Sequence, residues 1–373
     1  MNGRKVVKSR PAPRVRERKR RPINSASWCA SLARSSWPSG MRCLTSQRNR
    51  RRRLVRMRLV LVAAVFAAAC SPGAGAAGQT GVVRHMLSPA NLPAFFDCLR
   101  ENGRTIVVAH RGGPASGFPE NAMSTFENTL RQVPAVLEID IARTRDSVLI
   151  LMHDETVDRT TTGSGAVSNL SLSQLQALRL KDEHGRVLDM RVPTLREALN
   201  WSASRTLFEL DVNDGIPYAS VIAEVRAAGA IDRVIFITYG DNAAVRVHEL
   251  APEIMISASI DAASDLDVLA ARGVDLTRVL AWTGIEEPNG ALNSALAQRG
   301  VEAIFGTLGN PARSWDGRFV RARRDEYAKL AATGLAVISS NRAIEAVRDL
   351  DAKDGVDGYA ALQCTSPDDA RRR

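Results

Sequence analysis

Residues 136–154, VLEIDIARTRDSVLILMHD, hold two apolar runs, Val136–Ile141 and Val148–His153, separated only by residues 142–147. A parallel crossover needs about a dozen residues or more. The second run therefore returns antiparallel, as the arm of a hairpin that turns near Arg145 and Asp146. Seven further β-rich runs flank the pair: Ile106–His110, Leu207–Val212, Val234–Tyr239, Ile254–Ile260, Val279–Trp282, Ala303–Thr307 and Leu335–Ser339. Several of the segments between them, such as VIAEVRAAG and YAKLAATG, carry helical periodicity. Strands that alternate with helices predict a parallel sheet. With the hairpin arm set aside eight strands remain, the number of a TIM (β/α)8 barrel. A doubly wound open sheet is the rival, and no Gly-rich dinucleotide loop supports it.

The segment from Asp154 to about Val192 is long for a strand-to-helix connection. It contains the turn-rich TTTGSGAVS and the helical-looking LSLSQLQALRL. Together with the hairpin it predicts a small insertion over about 142–192, beside the barrel mouth and after the second strand.

The same stretch carries chemistry. Glu138 and Asp140 occupy alternate positions of one strand, so both point to one side. Among Leu137, Ile139 and Ile141 they would sit in apolar surroundings, where two carboxylates repel unless a cation or a proton intervenes. Oxygen ligands favour a hard ion, Ca2+ or Mg2+. The alternative is a solvated strand end. The returning arm brings His153 back toward the level of the carboxylates, and His110 ends the neighbouring first strand. Two imidazoles beside a hard cation suit acid–base cleavage of a phosphodiester, one accepting and one giving a proton. Arg111 would offer phosphate oxygens a planar fork. Trp282 and Phe305 are candidates to line the pocket, with core packing as the alternative reading.

The formal charge of +11 suggests a nucleic acid or an acidic membrane until it is located. Residues 1–58 hold 19 Lys and Arg against one acidic residue, Glu17, which leaves the other 315 residues at net −7. A nucleic-acid role loses its main support. Residues 1–56 read as a basic leader, disordered or lying before the true start at Met57. Residues 57–70 read as a signal peptide: Arg56 and Arg58 flank the apolar run Leu59–Ala69, which is too short to span a membrane. Ala67-Ala68-Ala69-Cys70 resembles a lipobox, which implies a lipid anchor at Cys70; ordinary cleavage near Ala69 is the alternative. Residues 71–84 read as a flexible tether, 85–364 as the barrel domain and 365–373 as a tail. The expected location is exported, either anchored to a membrane or free in the periplasm or medium. Cys98 and Cys364 remain for the domain, one near each end. Barrel closure makes those ends neighbours, so a disulfide is predicted between them, against two buried thiols as the alternative.

HRGG (110–113), PEN (119–121), EIDIARTRD (138–146), LILMHDETVDRTTTGSG (149–165) and VPTLREAL (192–199) resemble, in order and spacing, the glycerophosphodiester phosphodiesterase family. The similarity runs clearly over 107–199 and more faintly to about 350. It implies a TIM barrel with a hairpin and insertion. It also implies divalent-cation-dependent hydrolysis of small glycerophosphodiesters to sn-glycerol 3-phosphate and an alcohol. By resemblance His110 and His153 are catalytic, Arg111 binds phosphate with Glu120 standing behind it, and Glu138 and Asp140 ligate metal. The family's later Glu-x-Lys strand reads LFELDVND here, at 207–214. Asp211 with Asn213 is the preferred register for the third metal ligand; Glu209 with Asp211 is the other. Neither supplies the lysine. Ser340-Asn341-Arg342-Ala343 likewise replaces the family's Thr-Asp-Arg-Pro. Two alternatives stay beside the hydrolase. One is a related phosphodiesterase or phospholipase acting on lysophospholipid or phosphoinositide headgroups. The other is a non-catalytic binding lipoprotein on the same fold.

Overall fold

The computed structural model describes residues 86–354 and 360–365. The leader, signal segment, Cys70 and tether lie outside the described residues. Among the described residues no helix is long and apolar enough to cross a membrane.

Among the described residues nine strands form: β1 (Ile106–Ala109), β2 (Val136–Arg143), β3 (Leu149–Leu151), β4 (Phe208–Val212), β5 (Val234–Thr238), β6 (Met255–Ser259), β7 (Val279–Trp282), β8 (Glu302–Gly306) and β9 (Leu335–Ser340). Eight of them pair in parallel, and β1 pairs with both β2 and β9, so the sheet closes into a barrel. The exception is β3, antiparallel to β2 with Ile141 opposite Leu151. The hairpin turns at Thr144–Ser147, where Thr144 N–H bonds the Val148 carbonyl and Ser147 takes a left-handed φ of 65°.

Helices α1 (Leu92–Glu101) and α2 (Met123–Gln132) flank β1 in the chain, and α3 (Leu172–Gln176) lies in the insertion. The remaining helices are α4 (Leu195–Ser202), α5 (Tyr218–Ala227), α6 (Asp241–Leu250), α7 (Asp265–Ala271), α8 (Gly290–Ala297), α9 (Trp315–Ala322), α10 (Tyr327–Ala331) and α11 (Ala343–Asp354). Residues pointing outward from the strands pack on these helices: Val107, Leu137, Ile139, Phe208 and Phe236 meet Phe126, Leu195 and Val221. Inward residues of the first layer, Val108, Val136, Leu207, Ile235, Met255, Leu280 and Ile304, form an apolar floor. Helix α1 seals it with Leu92, Phe95, Phe96 and Leu99. Each such side chain contributes roughly 1.5–3 kcal/mol by leaving water. The Asn91 side chain caps α1 by accepting from Ala94 N–H at 3.0 Å.

The insertion has its own apolar cluster, including Ile150, Met152, Val157, Val167, Leu175, Leu180 and Val192. The helix expected over LSLSQLQALRL is shorter than its periodicity suggests. A capping box of Ser171 and Gln174 starts it, and it runs only to Gln176. Leu180 then bridges Thr161, tying the chain into irregular pairs instead of another helical turn. Pro119-Glu120-Asn121 precedes α2 as a turn, with Asn121 at φ 56°.

Candidate active site

The first strand hands over to His110–Gly112, a single tight turn in which Arg111 sits at φ 52°, ψ 30°. That left-handed step aims the Arg111 N–H at Glu138 Oε2, 2.6 Å away. The two glycines that follow answer to close packing. A Cβ on Gly112 would lie 2.3 Å from the Phe126 ring, and Gly112 and Gly113 have φ of 81° and 84°. A strand end is thereby turned back over the barrel mouth.

Register on the neighbouring strands sets the carboxylates. Asp140 of β2 pairs with Asp211 of β4, and Glu138 with Glu209 one step lower. Glu138, Asp140 and Asp211 each present an oxygen within 4.8 Å of the others. The first two are buried and Asp211 nearly so. Burial, with Asp140 and Asp211 beside it, pushes Glu138 well above the usual carboxylate range. Burial and Asp140 push Asp211 up to about 6. Three all-oxygen donors that repel one another when ionised suit one hard divalent cation. Asn121 braces the group: its Nδ2 donates to Asp140 Oδ2 at 2.6 Å, and its Oδ1 accepts from Asp140 N–H at 3.1 Å. Tyr239 donates its hydroxyl to Asp211 Oδ2 at 2.7 Å. Glu209 lies outside the group, so the geometry joins Asp211 rather than Glu209 to Glu138 and Asp140.

His110 Nδ1 meets Asn341 Oδ1 at 2.7 Å, which leaves Nε2 for chemistry. Burial, then the Arg111 charge, hold this imidazole below its ordinary value, so it is neutral at neutral pH. His153 is carried back by the hairpin: Met152 N–H bonds the Asp140 carbonyl at 3.0 Å. Asn213, at the place of the absent lysine, donates to the carbonyls of Met152 and His153 at 3.1 Å each. His153 Nδ1 meets Asp154 Oδ1 at 2.7 Å. Burial would raise Asp154, but His153 and Arg159 hold it far below the ordinary range.

Arg159, from the insertion, joins the two halves. It donates to Asp154 through Nε at 2.7 Å and Nη2 at 2.9 Å, and to both oxygens of Glu120 at 2.7 and 2.8 Å. Glu120 in turn accepts twice from Arg111 Nη1 at 3.1 Å. Burial works against Glu120, yet Arg159 and Arg111 keep it ionised. Arg111 Nε, 3.7 Å from Asp140, is buried with no hydrogen-bond partner. Asp154, Arg159, Asn121 and Tyr239 were not singled out from the sequence, and Asn341 stood out there only as a departure from the family's Thr-Asp-Arg-Pro. The first two stand in the quoted HDETVDR and Asn121 in PEN, but nothing in the spacing says what they touch.

A cavity of about 150 Å³ opens at this rim, lined on one side by His110, Glu138, Glu209 and Asp211. Trp282 lines it as well, whereas Phe305 is fully buried in the core.

Residues 110–255 match the model of the glycerophosphoryl diester phosphodiesterase family. A glycerophosphodiester phosphodiesterase of Caldanaerobacter subterraneus subsp. tengcongensis is 29% identical over 160 residues, covering 41% of this chain and 65% of that protein. Rat glycerophosphodiester phosphodiesterase 1 is 39% identical over 104 residues, 27% of this chain and 31% of that one. The chain thus spans under two thirds of the length of either relative. A crystal structure of a glycerophosphoryl diester phosphodiesterase from Parabacteroides distasonis superposes with a TM-score of 0.62 at 29% identity, covering 72% of this chain and 94% of that one.

Proposed function

Because the chain belongs to the glycerophosphoryl diester phosphodiesterase family, we propose that it hydrolyses small glycerophosphodiesters to sn-glycerol 3-phosphate and an alcohol. The observation that carries this reading is a carboxylate trio whose Glu138 and Asp211 line one cavity with His110, while Arg111 bonds Glu138 and the hairpin holds His153 next to Asp140. A divalent cation held by Glu138, Asp140 and Asp211 would withdraw charge from the phosphoryl oxygens. Arg111, anchored by Glu120 and with its Nε beside Asp140 and free of a hydrogen bond, would bind the phosphoryl oxygens. His110, neutral and fixed through Nδ1, accepts a proton at Nε2 from the attacking oxygen. His153, oriented through its Nδ1 by Asp154, gives a proton to the departing alcohol. The retained histidines and carboxylates weigh against a non-catalytic binding role.

An apolar rim favours a second reading, cleavage of a lysophospholipid headgroup. Tyr239 is 69% exposed and Ile285 39%, and Leu308 and Trp282 lie beside the cavity. One assay tests both. Purified protein with Mg2+ or Ca2+ should release choline from glycerophosphocholine, and EDTA should abolish the release. Faster release from lysophosphatidylcholine would favour the second reading, and no release from either would reject both.

We also infer an exported protein anchored through Cys70, on the short apolar run Leu59–Ala69 and the small residues before that cysteine. The mass of the mature N-terminal peptide tests it: an unlipidated end would contradict the anchor.

A further inference from the structure

Glu209 has no role in the chemistry described above. It stands on β4 two residues before Asp211, so its side chain enters the barrel in register with Glu138 and one step below Asp140 and Asp211. It is 2% exposed, and its Oε1 is buried with no hydrogen-bond partner. The Ser257 hydroxyl holds the carboxylate from one side. Below lies the apolar floor of Val108, Leu207 and Ile235, which offers it nothing. Above lies the cavity, which Glu209 itself lines together with Ser257, Ser259 and Ser339.

A buried carboxylate oxygen without a donor is costly, and the cost is largest for a charged group. Glu209 lines the cavity, so a ligand there can supply a donor. Three serine hydroxyls border it, each able both to give and to accept a hydrogen bond. An anion is repelled there, since Glu138 and Asp211 border the same space. A quaternary ammonium is better served by an aromatic cage than by hydroxyls. A group carrying adjacent hydroxyls meets every condition. It donates to Glu209 and exchanges hydrogen bonds with the serines, while its phosphate stays at the trio above.

We propose that Glu209, with Ser257, Ser259 and Ser339, forms a subsite for the vicinal hydroxyls of a polyol. On the reading given under Proposed function, that polyol is the glycerol moiety of the diester. Glu209 is then a specificity residue rather than a metal ligand.

Calorimetric titration of the metal-loaded protein with sn-glycerol 3-phosphate and, separately, with inorganic phosphate tests this. Glu209→Ala should weaken glycerol 3-phosphate by about 10- to 100-fold, the scale of a hydrogen bond to a charged group, and should move phosphate far less. Glu209→Gln keeps the side-chain volume while replacing one acceptor, and should fall between wild type and Ala; it decides the matter if the alanine variant does not fold. Equal weakening of both ligands would mean that Glu209 acts through the charge of the trio. No weakening of either would mean that a water satisfies Oε1. Selective loss of phosphocholine binding would place the cationic headgroup here. Each of these three results overturns the proposal. Wild-type protein that binds glycerol 3-phosphate tightly yet cleaves no diester would overturn the proposed activity and leave the subsite standing.

Discussion

Arg159 makes four hydrogen bonds of 2.9 Å or less to two carboxylates that lie 34 positions apart in the chain. One of them steadies His153 and the other steadies Arg111, so a single guanidinium braces both the proposed proton donor and the proposed phosphate fork. The bidentate geometry is specific to arginine. His153→Ala should lower kcat by roughly 10²-fold or more, the scale of general acid catalysis. Arg159→Ala should lower it between about 10- and 100-fold, because misplaced groups cost that much even when the chemistry is intact. Arg159→Lys should recover little of the loss. The pH–rate profile separates positioning from folding: loss of the Arg159 charge should move its basic limb, whereas a merely structural defect would leave the limb in place. An unshifted profile with a near wild-type rate would reject the positioning role. His110, Glu138 and Asp140 were legible in the sequence because strand alternation fixes where they point. Arg159 was not. Its pairing with Glu120 spans 39 positions, and it depends on where an irregular insertion folds back.

Strand β4 shows what an element adds to its residues. Alternation places Glu209 and Asp211 on the same face, so the sequence left two registers for the third carboxylate. Oxygens of Glu138, Asp140 and Asp211 come within 4.8 Å of one another and Glu209 is not in that group, so the geometry favours Asp211. That crowding has a signed consequence for the metal-free protein. Burial raises Glu209 from 4.5 to about 7 and Asp211 from 3.8 to about 6. The folded state then binds more protons than the unfolded chain between these values. The stability is fully present below the unfolded values and is lost as pH rises through the folded ones. The loss should be on the order of a few kcal/mol. Melting temperature of EDTA-treated protein should fall from about pH 5 to about pH 8, and added Mg2+ or Ca2+ should restore it most at the upper end. A level profile without metal would contradict the account. The strands were legible because apolar runs of strand length recur between helical patterns. The short helix of the insertion was misjudged in length because isolated bridges, invisible to periodicity, took over at Leu180.

At the scale of the whole molecule, the barrel is closed at its floor by the two ends of the described chain. Helix α1 lays Phe95, Phe96 and Leu99 across the floor, and the turn Ala360–Thr365 packs Ala361 and Cys364 into the same cluster. Cys98 and Cys364 are joined as a disulfide, with Cα atoms 5.7 Å apart and a sequence separation of 266. The prediction from barrel closure therefore holds, although the sequence could not exclude two thiols. Arg104 adds a bond to Gln363 at 2.5 Å. A cross-link over so long a loop acts mainly on the unfolded chain, and chain entropy gives about 5 kcal/mol as an upper figure. Cys98→Ser with Cys364→Ser should therefore lose about 2–5 kcal/mol and roughly 5–15 °C in melting temperature. The floor and the catalytic rim lie at opposite ends of the strands, since the first-layer residues face α1 and the carboxylates face the mouth. Turnover at low temperature should then be unchanged in the double variant. Dithiothreitol should lower the melting temperature of wild type to that of the variant and leave the variant where it is. If reduction shifts neither protein, the bridge contributes nothing to stability. If the variant loses turnover while still folded, the floor is coupled to the mouth, and the barrel does not separate stability from chemistry.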